Sequence, residues 1–216
     1  MEEETVKMEK KPLGYYDYTV ILTYCGMLFG FFGIVLAIGE NFWKALICLM
    51  IAGACDMFDG LVASTKDRTK DEKRFGIQID SMSDMVNFGI FPAIFVYMIS
   101  AKTIFGAVVP ALYSLATLIR LSYFNVIEEE RQDKETGSRH SYLGLPVTSS
   151  ALLLPLVYLL FDLGLLISSR AYQVALIISG VLFLSPIEIK KPGMTGKIIV
   201  IVIGLAEVFG MLMFKG

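Results

Sequence analysis

Seven apolar stretches dominate this chain, at residues 18–39, 42–63, 77–100, 103–126, 145–166, 172–186 and 198–214. Most reach the roughly 20 residues that an α-helix needs to cross the hydrocarbon core of a bilayer; the sixth is short. With 55% hydrophobic residues in 216, no compact soluble domain could hide so much apolar surface. Inside a bilayer every backbone N–H and C=O must find a partner within its own segment, so each stretch is predicted to be helical. The expectation is an all-α fold, a polytopic bundle of about seven transmembrane helices.

The connections sort by charge. Lys7, Lys10 and Lys11 precede the first span; Lys66, Arg68, Lys70, Lys73 and Arg74 join the second to the third. Arg131, Lys134 and Arg139 follow the fourth, and Lys190, Lys191 and Lys197 follow the sixth. With seven spans, all of these fall on one side, and Lys44, Lys102, Arg170 and Lys215 on the other. The positive-inside tendency then puts the N-terminus in the cytoplasm. The charged first 17 residues and the long first span do not read as a cleavable leader. Cys25, Cys48 and Cys55 lie in apolar spans without metal spacing and read as packing residues. His140 sits in a polar loop and reads as solvated, as does the helix end at Glu128, Glu129, Glu130 and Arg131. A net charge of −2 gives no ground for a nucleic-acid partner.

Four acids stand out against the apolar background. Asp56 and Asp59 are spaced i,i+3 and Asp80 and Asp84 i,i+4, so each pair shares one helix face. The short basic connection between them would fold one helix back beside the other, making one acidic pocket. Carboxylates crowded beside a low-dielectric region repel one another, and one or two divalent cations are the simplest way to keep them ionised. The bland alternative is an ion-pair network with the Lys and Arg of the connection, which four acids on two facing stripes fit poorly. Gly60, Ala63 and Gly76 beside the acids allow close approach, either of another helix or of a ligand. Arg120, deep in the fourth span, must face a polar interior. Asn125 either points into the same interior or caps a helix end; Asn87, about one turn after Asp84, is placed to orient it. Glu207 in the last span has no evident partner in the sequence. A turn at 142–146, with Gly144 and Pro146, is expected to shape the mouth of the pocket.

Asp56, Asp59, Gly60, Ala63, Gly76, Asp80 and Asp84 fit D-x-x-D-G-x-x-A followed by G-x-x-x-D-x-x-x-D, and this signature resembles that of the CDP-alcohol phosphatidyltransferases. The runs FGIQIDSMSDMVNFGIFPA, RLSYFNV, GLP and SPIEIKKP are similar to the serine-accepting branch of that family. The likeness implies a polar interfacial segment at 1–17, a six-helix catalytic core at 18–192 and an additional transmembrane helix at 193–216. It also implies transfer of a phosphatidyl group from CDP-diacylglycerol to the hydroxyl of L-serine, giving phosphatidylserine and CMP, with Mg²⁺ or Mn²⁺ as cofactor. Asp56, Asp59, Asp80 and Asp84 would hold the metal, with Asp84 also the general base. Asp59, Gly60, Ala63, Ser64 and Gly76 would bind the nucleotide. Arg120, Asn125, Asn87, Lys66 and Arg68 would contact substrate, Arg120 through the serine carboxylate or the lipid phosphate, unless it merely neutralises an aspartate. Membrane lipids and a second copy in a homodimer are the implied partners, with the site facing the cytoplasm.

Two departures from the family pattern bear on the nucleotide. Ser64 stands where the family usually has arginine, and the gap to Gly76 is longer, so Lys66 and Arg68 are expected to supply the missing positive charge. Two rival readings remain. The same chemistry with glycerol 3-phosphate or an inositol phosphate would call for a more basic acceptor pocket than Arg120 provides. A cation transporter would place its acids near mid-membrane rather than together at one edge.

Overall fold

The computed structural model describes residues 13–100, 102–134, 141–190 and 193–213. Lys7, Lys10, Lys11, Arg139, His140, Lys191 and Lys215 lie outside them. The first helix, α1 (Tyr18–Ile38), starts where Asp17 accepts a hydrogen bond from the Thr19 amide at 2.9 Å, satisfying one of the orphan donors of the first turn. It reverses through Gly39 and Glu40, the latter at φ +60°, into α2 (Phe42–Ala63), and the two pack as an antiparallel hairpin.

The next helix, α3 (Lys70–Asp84), begins two turns before the apolar stretch that marks it in the sequence. Thr69 and Glu72 form a reciprocal capping box, so the helix nucleates in the polar connection. It continues without interruption through a π-helical turn, Met85–Ile90, into α4 (Phe91–Ile99). Pro92 explains the wide turn: it has no N–H and its ring collides with the carbonyl of Phe88 four residues back. The carbonyls so displaced find donors on the neighbouring helix, Phe88 O from the Tyr113 hydroxyl at 2.7 Å and Gly89 O from the Ser114 hydroxyl at 3.2 Å. That neighbour is α5 (Ile104–Lys134), which outruns its apolar stretch by about two turns.

After α5 comes a three-residue strand, β1 (Ser141–Leu143), then a short 3₁₀ turn and α6 (Ser150–Asp162). Next come α7 (Arg170–Phe183), β2 (Glu188–Lys190) and α8 (Met194–Met213). The stretch 145–166 thus yields a much shorter helix than its length predicts, because Gly144, at φ +69°, turns the chain, Pro146 holds the start extended and Gly164, at φ +71°, follows its end. β1 and β2 pair antiparallel, with Tyr142 opposite Ile189. This pair is absent from the sequence expectation.

The connections divide between two ends of the bundle. At one end Lys102 pairs with Glu40, and the Ser100 hydroxyl reaches Ser169 O at 3.5 Å, tying three turns together. At the other end lie the α2–α3 connection and the β1–β2 pair. α1, α2, the α3–α4 rod, α5 and α8 are long and apolar enough to cross a membrane; the apolar helices 147–162 and 170–183 are shorter. The core fills the half away from the acids, around Phe88, Phe91, Phe95, Tyr113, Leu154 and Tyr172. The all-α polytopic bundle is therefore the architecture observed.

Candidate active site

The helical spacing of the four aspartates brings all of them to one cavity. It has a volume of about 450 Å³ and opens between α1, α2, α3 and α5, with Pro146, Val147 and Thr148 along its edge. One carboxylate oxygen from each of Asp56, Asp80 and Asp84 lies within 4.8 Å of the others. Oxygens sharing one small divalent ion, bound at about 2.1 Å, stand at most roughly 4.2 Å apart, so a small rotation of these side chains suffices to enclose one. The donor set is oxygen only, as hard cations require. Asp84 is the most enclosed, at 9% exposure. Asp59 stands beside Asp80 and its Oδ2 accepts from the Thr23 hydroxyl of α1 at 3.3 Å.

Around the acids the other residues singled out in the sequence divide. Gly60, Ala63, Gly76, Arg68, Arg120 and Asn125 line the cavity. A side chain at Gly60 would meet nothing within 4 Å, so its backbone lies open to whatever occupies the space. At Gly76 the gap is taken by this chain itself: an added Cβ would fall 2.9 Å from Arg68 Nη1, so the glycine makes room for that guanidinium. Ser64 is exposed, its hydroxyl turned back to Leu61 O at 2.7 Å. Lys66 does not line the cavity. Its ammonium lies 2.6 Å from Asp17 and 2.9 Å from Glu72, and, with the Thr19 donors, it holds the Asp17 carboxyl down at about 2. Of the two cations expected to replace the missing arginine, Arg68 is the one at the site.

Asn87 also stands apart from the main cavity. It is 2% exposed in the π-helical turn, donates to the Ser83 hydroxyl at 3.2 Å, and its Oδ1 has no hydrogen-bond partner among the described residues. Arg120, 6% exposed, donates from Nη1 to Leu143 O at 2.7 Å and to Phe183 O at 3.0 Å, and its guanidinium lies over the Phe124 ring. A buried cation is thus anchored to β1 and to the end of α7 while it lines the cavity. Gly144 permits this: at φ +69° an added Cβ would sit 2.7 Å from Leu182 O and 2.9 Å from both Arg120 Nη1 and Phe183 O.

Sequence reasoning passed over several lining residues. Thr19 and Thr23, an i,i+4 hydroxyl pair within an apolar span, were legible by the same spacing rule as the acids. Glu128, read as solvated, is half-buried in the wall; from α3, Ser81 lines the cavity half-buried and Lys73 lines it while exposed. Glu207 is 5% exposed within α8, with Oε2 unpartnered among the described residues.

Fold and site together define an integral, multi-pass helical membrane protein with an acidic, metal-competent cavity near one edge. Residues 19–185 match the CDP-alcohol phosphatidyltransferase family, and the chain belongs to it. The chain is 34% identical over 121 residues to the CDP-diacylglycerol--serine O-phosphatidyltransferase of Saccharomyces cerevisiae, covering 52% of this chain and 43% of that protein. It is 33% identical over 131 residues to the archaetidylserine synthase of Methanothermobacter thermautotrophicus, covering 60% and 52%. A CDP-diacylglycerol--serine O-phosphatidyltransferase of Helicobacter pylori is 29% identical over 147 residues, covering 67% and 58%. The chain spans about half the length of these curated relatives.

Proposed function

We propose that this protein transfers the phosphatidyl group of CDP-diacylglycerol to the hydroxyl of L-serine, forming phosphatidylserine and releasing CMP. The observation that carries the reading is the convergence of Asp56, Asp80 and Asp84 in a cavity that also holds Arg68 and Arg120. Two relatives named CDP-diacylglycerol--serine O-phosphatidyltransferase and one named archaetidylserine synthase support serine as the acceptor.

In this reading Asp56, Asp59 and Asp80 hold a divalent cation, Mg²⁺ or Mn²⁺, and Asp84 shares in it. When bound, that cation neutralises the diphosphate and stabilises the departing CMP. Gly60 lets the diphosphate approach the α2 backbone, with Ala63 and Gly76 beside it, and Arg68 offers a guanidinium to its oxygens. Arg120, oriented by two carbonyls, presents a fixed cation for the serine carboxylate or the lipid phosphate, with Asn125 nearby. Asp84 takes the proton from the serine hydroxyl as its oxygen bonds to the lipid-side phosphorus and the bond from phosphorus to CMP breaks. A positioned base is worth on the order of 10²–10⁴ in rate for so weak a nucleophile. Asn87, Lys66 and Ser64 act at one remove, through packing and the α2–α3 connection.

Lys70, Lys73 and Arg74 at the start of α3 share the aspartate end, and by the positive-inside tendency they support a site that faces the cytoplasm. A homodimer, implied by the family resemblance, is read by native mass spectrometry in detergent. For the activity, purified protein given CDP-diacylglycerol, Mg²⁺ or Mn²⁺ and labelled serine is expected to release CMP and form labelled lipid. Incorporation of glycerol 3-phosphate with none of serine would overturn the acceptor while leaving the transfer chemistry standing.

A further inference from the structure

Asp59 is the carboxylate outside the tight Asp56–Asp80–Asp84 group, and beside its contacts with Asp80 and the Gly60 backbone it is held by a hydroxyl from a helix that contributes no acid. Thr23, 7% exposed on α1, is engaged at both of its polar ends. Its hydroxyl donates to Asp59 Oδ2 on α2 at 3.3 Å, and its carbonyl accepts from the Ser83 hydroxyl of α3 at 3.4 Å. Ser83 in turn accepts from Asn87 Nδ2 at 3.2 Å. A helical serine commonly bonds back to the carbonyl four residues earlier in its own helix. Here the hydroxyl crosses to α1 instead, and the amide of Asn87 leaves it in that direction.

Register between the helices follows from the far end of this chain. Asn87 lies against Gly30 on α1, where an added Cβ would fall 1.8 Å from Asn87 Oδ1, so the two helices can meet here only through glycine. The π-helical turn places Asn87 at that contact one turn beyond Asp84. Hydrogen bonds therefore run from the wide turn to the Thr23 backbone, and the side chain of the same residue carries the connection on to a carboxylate in α2.

We infer that Thr23, clamped by Ser83 and Asn87, is a positioning residue for Asp59, fixing the orientation in which that carboxylate meets the divalent cation. The inference rests on the metal reading above. Hydrogen-bond partners behind a ligating carboxylate commonly alter metal affinity or activity by about 10- to 100-fold. Thr23→Val keeps the shape and removes the donor; Thr23→Ser keeps the donor and removes a methyl group.

The test titrates the purified, detergent-solubilised variants with Mn²⁺ alone, reading free Mn²⁺ by electron paramagnetic resonance, and records thermal unfolding in EDTA beside it. Thr23→Val is expected to weaken Mn²⁺ binding at least about tenfold, and Thr23→Ser to restore it to within about threefold. Ser83→Ala, a milder change that leaves the Thr23 hydroxyl in place, is expected to weaken it by a smaller factor and serves if Thr23→Val fails to fold. Wild-type Mn²⁺ affinity in both Thr23→Val and Ser83→Ala, or equal weakening in Thr23→Val and Thr23→Ser, would overturn the inference even if melting shifts. Absence of Mn²⁺ binding by the unaltered protein would instead overturn the metal reading, and this inference with it.

Discussion

Replacing Gly144 by alanine tests how the Arg120 anchor is built. Gly144 has φ +69°, a conformation that costs an L-residue with a Cβ about 1–2 kcal/mol. The new methyl would also sit 2.7 Å from Leu182 O and 2.9 Å from Phe183 O, backbone atoms that cannot swing aside. The β1 end must move, loosening the 2.7 Å bond from Gly144 N to Ile187 O and the Arg120 bonds to Leu143 O and Phe183 O. Weakening one hydrogen bond to a charged group adds about 1.5–3 kcal/mol, for a total of about 3–5 kcal/mol. Gly164 supplies the control: its φ is +71°, but an added Cβ meets nothing within 4 Å, so Gly164→Ala is expected to lose only the backbone part. At about 2–4 °C per kcal/mol for a chain of this size, Gly144→Ala should melt roughly 6–20 °C below wild type and Gly164→Ala roughly 2–8 °C below. The assay is thermal unfolding in one detergent, followed by circular dichroism and by retained monodispersity. Melting of the two variants within about 2 °C of each other would refute the argument that the clash, rather than the backbone conformation, makes Gly144 necessary.

Asp84→Asn is expected to lose at least about 10²-fold in turnover at saturating Mn²⁺; unchanged turnover would reject it as the base. Removing metal with EDTA should abolish lipid formation, with recovery on adding Mg²⁺ or Mn²⁺ and no loss of helical circular dichroism, since the helices close their own backbone bonds. Glu40→Asn should raise the melting temperature by about 1–4 °C, because asparagine tolerates φ +60° better and the exposed pair with Lys102 contributes little. The pair of Asp17 and Lys66 should add stability that is full above the unfolded Asp value near pH 4 and disappears as pH falls through about 2. That sign follows from a carboxyl held lower in the folded state, and Asp17→Asn should erase the acid-limb difference in pH-dependent melting.

Much of this protein is written in one-dimensional terms. The apolar stretches, the basic connections and the i,i+3 and i,i+4 spacing of Asp56, Asp59, Asp80 and Asp84 are local properties, and helical periodicity alone turns each acidic pair onto one face. Helix ends were less legible: α3 starts at a capping box in the polar connection, and α6 is cut short by a proline and a glycine. The partners of individual polar groups were not legible at all. Arg68 lines the cavity while Lys66 turns to Asp17; Arg120 donates to carbonyls of β1 and α7; Thr23 holds Asp59. Each of these depends on which helices are neighbours and in what register. The register is decided by close approaches such as Gly30 on Asn87 and by the carbonyls that Pro92 displaces, which hydropathy and spacing do not encode. The chain by itself determined that carboxylates would gather in one cavity of a helical bundle. Tertiary packing decided which cation, hydroxyl and backbone carbonyl each side chain meets, because in a low-dielectric interior a polar group left unpaired is costly and can pair only with a neighbour that the packing brings within reach.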